Sequence, residues 1–125
     1  MLKFTCPYSG ETMDAIIYAN HYAVNGRIYL GLYTFSHDDE VEDDDCGWWE
    51  PYCDITVNLS APLTDSKTCA FIDTNNGSFL YNWIIKNDLG KPTGRTANSG
   101  FCVYPEFELN LEEIRHYLSE DSEEL

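Results

Sequence analysis

The stretch AIIYANHYAVNGRIYLGLYTF, residues 15–35, constrains the fold more than any other. Two runs rich in β-branched and aromatic residues flank Asn25-Gly26, a pair that readily takes the positive φ angles of a two-residue hairpin turn. Residues 15–35 therefore read as a β-hairpin with Val24 opposite Arg27. In that register Tyr22 faces Tyr29, Tyr18 faces Tyr33 and Ile16 faces Phe35, while Ala23, His21, Ala19 and Ile17 oppose Ile28, Leu30, Leu32 and Thr34. One face is aromatic and the other small and aliphatic. The aliphatic face is expected to take a helix, and the tyrosine face to be partly exposed or covered by another segment.

Further strands are expected near Leu2 to Cys6, at Cys53 to Leu59, at Cys69 to Asp73 and at Phe101 to Leu109, where Pro105 marks an edge or a bulge. SFLYNWIIKNDLGKP carries helix signals at both ends: Ser78 as N-cap, Phe79, Leu80, Trp83 and Ile84 on one face, Gly90 past the end and Pro92 soon after. A shorter helix in LNLEEIRHYL has Asn110 as its cap, with Leu111, Ile114 and Leu118 on one face. The expected fold is α+β: an antiparallel sheet of five to six strands, one main helix packed on one face and a short C-terminal helix. A chain of 125 residues, 43% hydrophobic, supplies one core. Residues 1–118 are expected as a single globular domain with an acidic loop at 37–50, and 119–125 as an acidic flexible tail.

Charge is distributed unevenly. Acids outnumber bases 22 to 7, for a net charge of −15. Asp38, Asp39, Glu40, Glu42, Asp43, Asp44, Asp45 and Glu50 lie in one segment, and Glu106, Glu108, Glu112, Glu113, Glu120, Asp121, Glu123 and Glu124 in another. The stretch from Ile55 to Pro105 is nearly neutral, with Asp65, Asp73 and Asp88 against Lys67, Lys86, Lys91 and Arg95. Such a field repels nucleic acid and anionic lipid and favours a cationic partner. No secretory leader and no apolar run of membrane-spanning length are read, so a cytoplasmic setting with reduced cysteines is expected.

The acidic run does not fit a calcium loop. Taking Gly47 as the sixth loop position puts Glu42, Asp44 and Cys46 at the first, third and fifth, and Cys53 at the twelfth, where a bidentate glutamate belongs. The cysteines and histidines lack zinc-finger spacing, and a catalytic pair of Cys102 with His21 or His116 has no local signature. No metal and no cofactor are expected. Gly90 to Gly100 reads as a loop with the residue types that can face an anion, but it lacks the order of a phosphate-binding loop and follows a helix. Glycine turns, or Arg95 pairing with the protein's own acids, account for it as well.

AFIDTNN at Ala70 to Asn76, LGKPTGR at Leu89 to Arg95 and SGFCVYP at Ser99 to Pro105 form an ordered series that resembles domain-of-unknown-function family 4313. The resemblance implies a bacterial, mobile-genetic-element setting and no established activity. It marks Asp73, Thr74, Asn75, Asn76, Thr93, Gly94, Arg95, Ser99 and Gly100 as matching the family pattern. Gly77-Ser78 stands where the family carries a Cys-Pro pair, so no role passes to that cysteine.

Charge and resemblance together favour binding over catalysis. The expected function is an acidic cytosolic protein-binding module or anti-defence inhibitor that acts on a basic protein surface, including one that normally holds nucleic acid. Its partner-binding residues would be Asp38, Asp39, Glu40, Glu42, Asp43, Asp44, Asp45, Trp48 and Trp49, the tryptophans anchoring the end of the acidic run. Consecutive aspartates about 3.3 Å apart crudely match the phosphates of one DNA strand, about 3.4 Å apart. The alternative is a small-ligand or anion-binding protein or enzyme built on Asp73, Asn75, Asn76, Thr93, Arg95 and Ser99. A homodimer would use the tyrosine face of the hairpin.

Overall fold

The computed structural model describes residues 2–37 and 47–125. Its strands are β1 (Lys3–Thr5), β2 (Thr12–His21), β3 (Ile28–His37), β4 (Gly47–Asp54), β5 (Thr56–Val57), β6 (Cys69–Ile72), β7 (Gly90–Ser99) and β8 (Cys102–Leu109). Among the described residues these are joined by two short helices, α1 (Leu80–Lys86) and α2 (Leu111–Arg115). The fold is α+β, mostly antiparallel sheet. Instead of one sheet of five or six strands there are two of four, in the orders β1-β2-β3-β4 and β5-β6-β8-β7. The expected strand over 53–59 divides at Ile55, whose N–H donates to Leu30 O in the first sheet while its carbonyl accepts from Asp73 N beside the second. That residue joins the two sheets.

The β2–β3 hairpin forms, with its register moved by two residues. Ile17 pairs with Leu32, Ala19 with Leu30 and His21 with Ile28. The connection is longer than two residues: Tyr22 N–H donates to Arg27 O and Gly26 N–H to Tyr22 O. Only Gly26 takes a positive φ there (71°), so Asn25 does not enter the left-handed region that a two-residue turn of this type requires. Asn25 instead accepts from Arg27 N–H and donates to Asn58, and Arg27 donates to the carbonyls of Leu59 and Ala61. These contacts to a distant segment hold the wider turn. A shift of two leaves each side chain on its original face. Ala15, Ile17, Ala19, Ile28, Leu30 and Leu32 are buried, while Tyr18, Tyr29 and Tyr33 are half-buried on the opposite face.

α1 is shorter than expected and does not simply cover one sheet. Leu80, Trp83 and Ile84 enter a core shared by both sheets, with Phe4 and Ile17 from the first and Ile72 and Phe107 from the second. Phe79 rather than Ser78 is the N-cap, without a side-chain cap. Asp88, not a glycine, takes the left-handed conformation after the helix (φ 57°), and Gly90 already begins β7. α2 is capped by Asn110, whose side chain accepts from Glu113 N–H. Residues 119–123 run along β2: Ser119 N–H donates to Ile17 O, Glu123 N–H to Ala19 O, and His21 contacts Glu123 at 2.8 Å, while Leu125 O accepts from Arg115.

Phe4 is 1% exposed and its ring meets Tyr52, Phe79 and Trp83 at centroid distances of 4.7, 5.1 and 6.1 Å. Trp83 Nε1 also donates to Lys3 O, so the three-residue β1 is tied to the helix by packing and by a hydrogen bond. Phe4→Ala is expected to cost about 3–5 kcal/mol of stability, read as a lowered urea midpoint at constant slope. An unchanged midpoint would mean that β1 is not integral to the core.

Candidate functional site

Gly90 to Gly100, expected as a loop, is mostly strand. β7 pairs with β8 at both ends, and the register breaks between Pro92 and Thr96. Gly94, at φ 92°, turns the backbone within this bulge. A bulge bends its strand and re-aims side chains. Here Thr93 and Arg95 converge on Glu106 of β8. Pro105 pairs with Thr96 where the ladder resumes, past the last residue of β8 that pairs with β6.

Glu106 is fully buried, at 0% exposure. Its carboxylate accepts from Thr64 N–H at 2.7 Å, Thr64 Oγ1 at 2.6 Å, Thr93 Oγ1 at 2.6 Å and Arg95 Nη1 at 3.2 Å. Burial alone would raise the pKa, but the hydrogen bonds from Thr64 and Thr93 and the Arg95 charge outweigh it and hold the carboxyl below its ordinary value. Arg95 also donates to Thr64 Oγ1 and to Pro62 O. Its guanidinium is thus engaged by the protein's own oxygens.

The other candidate ligand residues do not converge on Arg95 through any hydrogen bond among the described residues. Asp73 is buried and accepts from Asn76 Nδ2 at 2.9 Å, within the turn that leads toward α1. Asn75 and Ser99 are exposed, and Ser99 pairs with Cys102 at the end of the β7–β8 hairpin. The stretches that look like a ligand site build a turn, a bulge and a hairpin end. Sequence reasoning missed Glu106 and Thr64 as members of this cluster; the signal was the chance of Arg95 pairing with an internal acid.

Asp38, Asp39, Glu40, Glu42, Asp43, Asp44 and Asp45 lie outside the described residues. Residues 47–50, included in the expected acidic loop, are instead the start of β4. Trp48 and Trp49 are 51% and 39% exposed, and alternation along the strand sends them to opposite faces. Trp49 meets Phe35 at 5.2 Å. On the same outer face Tyr18 lies 6.2 Å from Tyr29 and 6.1 Å from Tyr33. Tyr29 donates to Asp54 at 2.6 Å; burial first, then that carboxylate, holds its phenol protonated well above the usual range.

Among the described residues no cluster of three or more His, Cys, Asp or Glu side chains is arranged to hold a metal ion. No helix there is long and apolar enough to cross a membrane. Cys6, Cys53, Cys69 and Cys102 are free thiols. His21 is engaged with Glu123, while Cys102 packs beside Phe71, Ala97 and Tyr104.

The family model described as Domain of unknown function (DUF4313) matches residues 17–125. The chain belongs to this family. That match takes in the hairpin, α1, the bulge and the C-terminal segment, well beyond the three sequence stretches that suggested it. No curated protein and no solved structure matches the chain.

Two expectations follow from the titrating groups. Because the Glu106 pKa is lowered on folding, its stabilisation is complete above the unfolded value of about 4.3 and is lost as pH falls through the folded value. Glu106→Gln should therefore cost about 1.5–3 kcal/mol near pH 7 and much less at pH 3, by urea denaturation. Equal losses at both pH values would rule out the ionised carboxylate as the cause. Hydrogen bonds from the Ser9 side chain and the Tyr52 hydroxyl, then from the backbone of Tyr8 and Ser9, pull the Cys6 thiol down to about 7, whereas burial pushes Cys53 up to about 12. Iodoacetamide should label Cys6 with a half-maximal rate near pH 7 and leave Cys53 nearly untouched, as mass spectrometry would report. A Cys6 rate still climbing steeply above pH 8.5 would contradict the assignment.

Proposed function

We propose that this protein is a non-enzymatic, acidic binding module of the cytoplasm, and that its partner is a basic surface on another protein. The observation that carries this reading is how the cationic side chains are engaged. Of 7 basic residues against 22 acids, five contact the protein's own oxygens: Lys3 pairs with Asp14, Arg27 with the Leu59 and Ala61 carbonyls, Lys91 with Glu108, Arg95 with Glu106 and Arg115 with the Leu125 carbonyl. The seven cations can neutralise at most seven of the 22 acids, so an excess of 15 negative charges remains. A net charge of −15 then attracts a cationic protein and repels phosphate backbones and anionic lipid.

The acids of residues 38–45 are the densest charge in the sequence and supply the contact in this reading, with Trp48 and Trp49 as adjoining exposed aromatic anchors. The mobile-element setting suggested by the sequence resemblance supports a host defence or nucleic-acid-binding protein as the partner class. The internal engagement of Arg95 counts against an anion site on the bulge. Immobilised protein should retain basic proteins from a bacterial lysate and release them as salt rises, whereas the variant D43N/D44N/D45N should retain several-fold less. Identical retention by both would remove the acidic run from the mechanism.

A further inference from the structure

The outer face of the first sheet carries a groove of about 470 Å³ that the bulge cluster does not involve. Ile16, Tyr18, Tyr33 and Trp49 line the sheet side, and Glu120 and Asp121 belong to the C-terminal segment that forms the other side. We infer that this groove takes an arginine side chain presented by a basic protein partner, its guanidinium lying on the tyrosine rings and its charge meeting Glu120 and Asp121. The inference rests on the basic-partner reading above and names the place where such a partner is gripped.

Chemical complementarity selects the occupant. The rings of Tyr18 and Tyr33 are half-buried, with centroids 6.1 Å apart, and Trp49 is 39% exposed beside them. They form an aromatic floor with a negative π surface, which favours a cation. Other carboxylates near this sheet are engaged, Asp14 by Lys3 and Asp54 by the Tyr29 hydroxyl. Glu120 and Asp121 are exposed and have no side-chain hydrogen-bond or ion-pair partner among the described residues. Arginine suits this mixture better than lysine, because its guanidinium is planar, weakly hydrated, stacks on aromatic rings and offers a fork to carboxylates. A second copy of the chain fits poorly, since each copy carries a charge of −15.

The backbone also fixes the acidic wall before any partner arrives. Ser119 N–H donates to Ile17 O and Glu123 N–H to Ala19 O, both at 2.8 Å, and Ala19 N–H donates to Ser122 Oγ at 2.9 Å. Glu120 and Asp121 lie between these attachments. Little backbone ordering is left for binding to supply.

Calorimetric titration of the full chain with a short peptide of alternating arginine and glycine tests this, with a lysine–glycine peptide for comparison. Tyr33→Leu, which leaves the charge unchanged, and E120Q/D121N are each expected to weaken the arginine peptide roughly five- to tenfold. The wild type should prefer the arginine peptide over the lysine peptide by a similar factor. D43N/D44N/D45N should weaken both peptides alike. Should Tyr33→Leu not fold, E120Q/D121N alters only exposed side chains and still decides the matter. Wild-type binding by both groove variants would overturn the groove; a loss confined to D43N/D44N/D45N would then leave the basic-partner reading standing. No binding of either peptide even at low salt would remove both. A dimer in sedimentation that Tyr33→Leu dissolves would give the groove to a second copy and overturn the inference.

Discussion

Burial of one aliphatic face of the β2–β3 hairpin governs the arrangement of the rest. Side chains alternate along a strand, so placing Ala15, Ile17, Ala19, Ile28, Leu30 and Leu32 in the core sends Ile16, Tyr18, Tyr29 and Tyr33 to the opposite side. Ile84 of α1 and Ile114 of α2 approach Ile17 and Leu30 closely enough to enclose only a narrow apolar space with Ile55, Leu89 and Leu109.

The second sheet meets a different constraint, a carboxylate with no exposure to solvent. A buried charge is tolerated only when it is paired and hydrogen-bonded. The β7 bulge provides this by bringing Thr93 and Arg95 onto Glu106, and the segment around Thr64 closes the remaining side. One cluster thus joins the loop before β6 to both strands of the β7–β8 hairpin. It also explains why a stretch rich in glycine, threonine and arginine need not face an outside ligand: its polar groups satisfy an acid of the same chain.

The proposed function lies at the periphery of these two constraints. The bulge cluster is turned inward, while among the described residues the C-terminal segment lies along one flank of the tyrosine face. Glu120 and Asp121 line the groove on this face. An aromatic surface within a strongly negative field is the basis of the proposed cationic partner, and Trp49, Glu120 and Asp121 are where that proposal places the contact.

Much of this was legible in the sequence. The hairpin, the identity of its two faces, the Asn110 cap and the strands near both ends of the chain follow from period-two alternation and from local hydrogen-bonding preferences, which depend on near neighbours alone. The hairpin register did not, because Arg27 and Asn25 bond to residues 58–61, and no local rule weighs those bonds against a tight Asn-Gly turn. Nor did the division into two sheets, which turns on the backbone of Ile55. Sequence by itself determined which residues are apolar, how they alternate and how far the acids outnumber the bases. Only tertiary structure decided that Arg95 meets Glu106 and that residues 119–123 lie along β2, since both depend on bringing distant segments together, where packing and the cost of an unpaired buried charge select the partner.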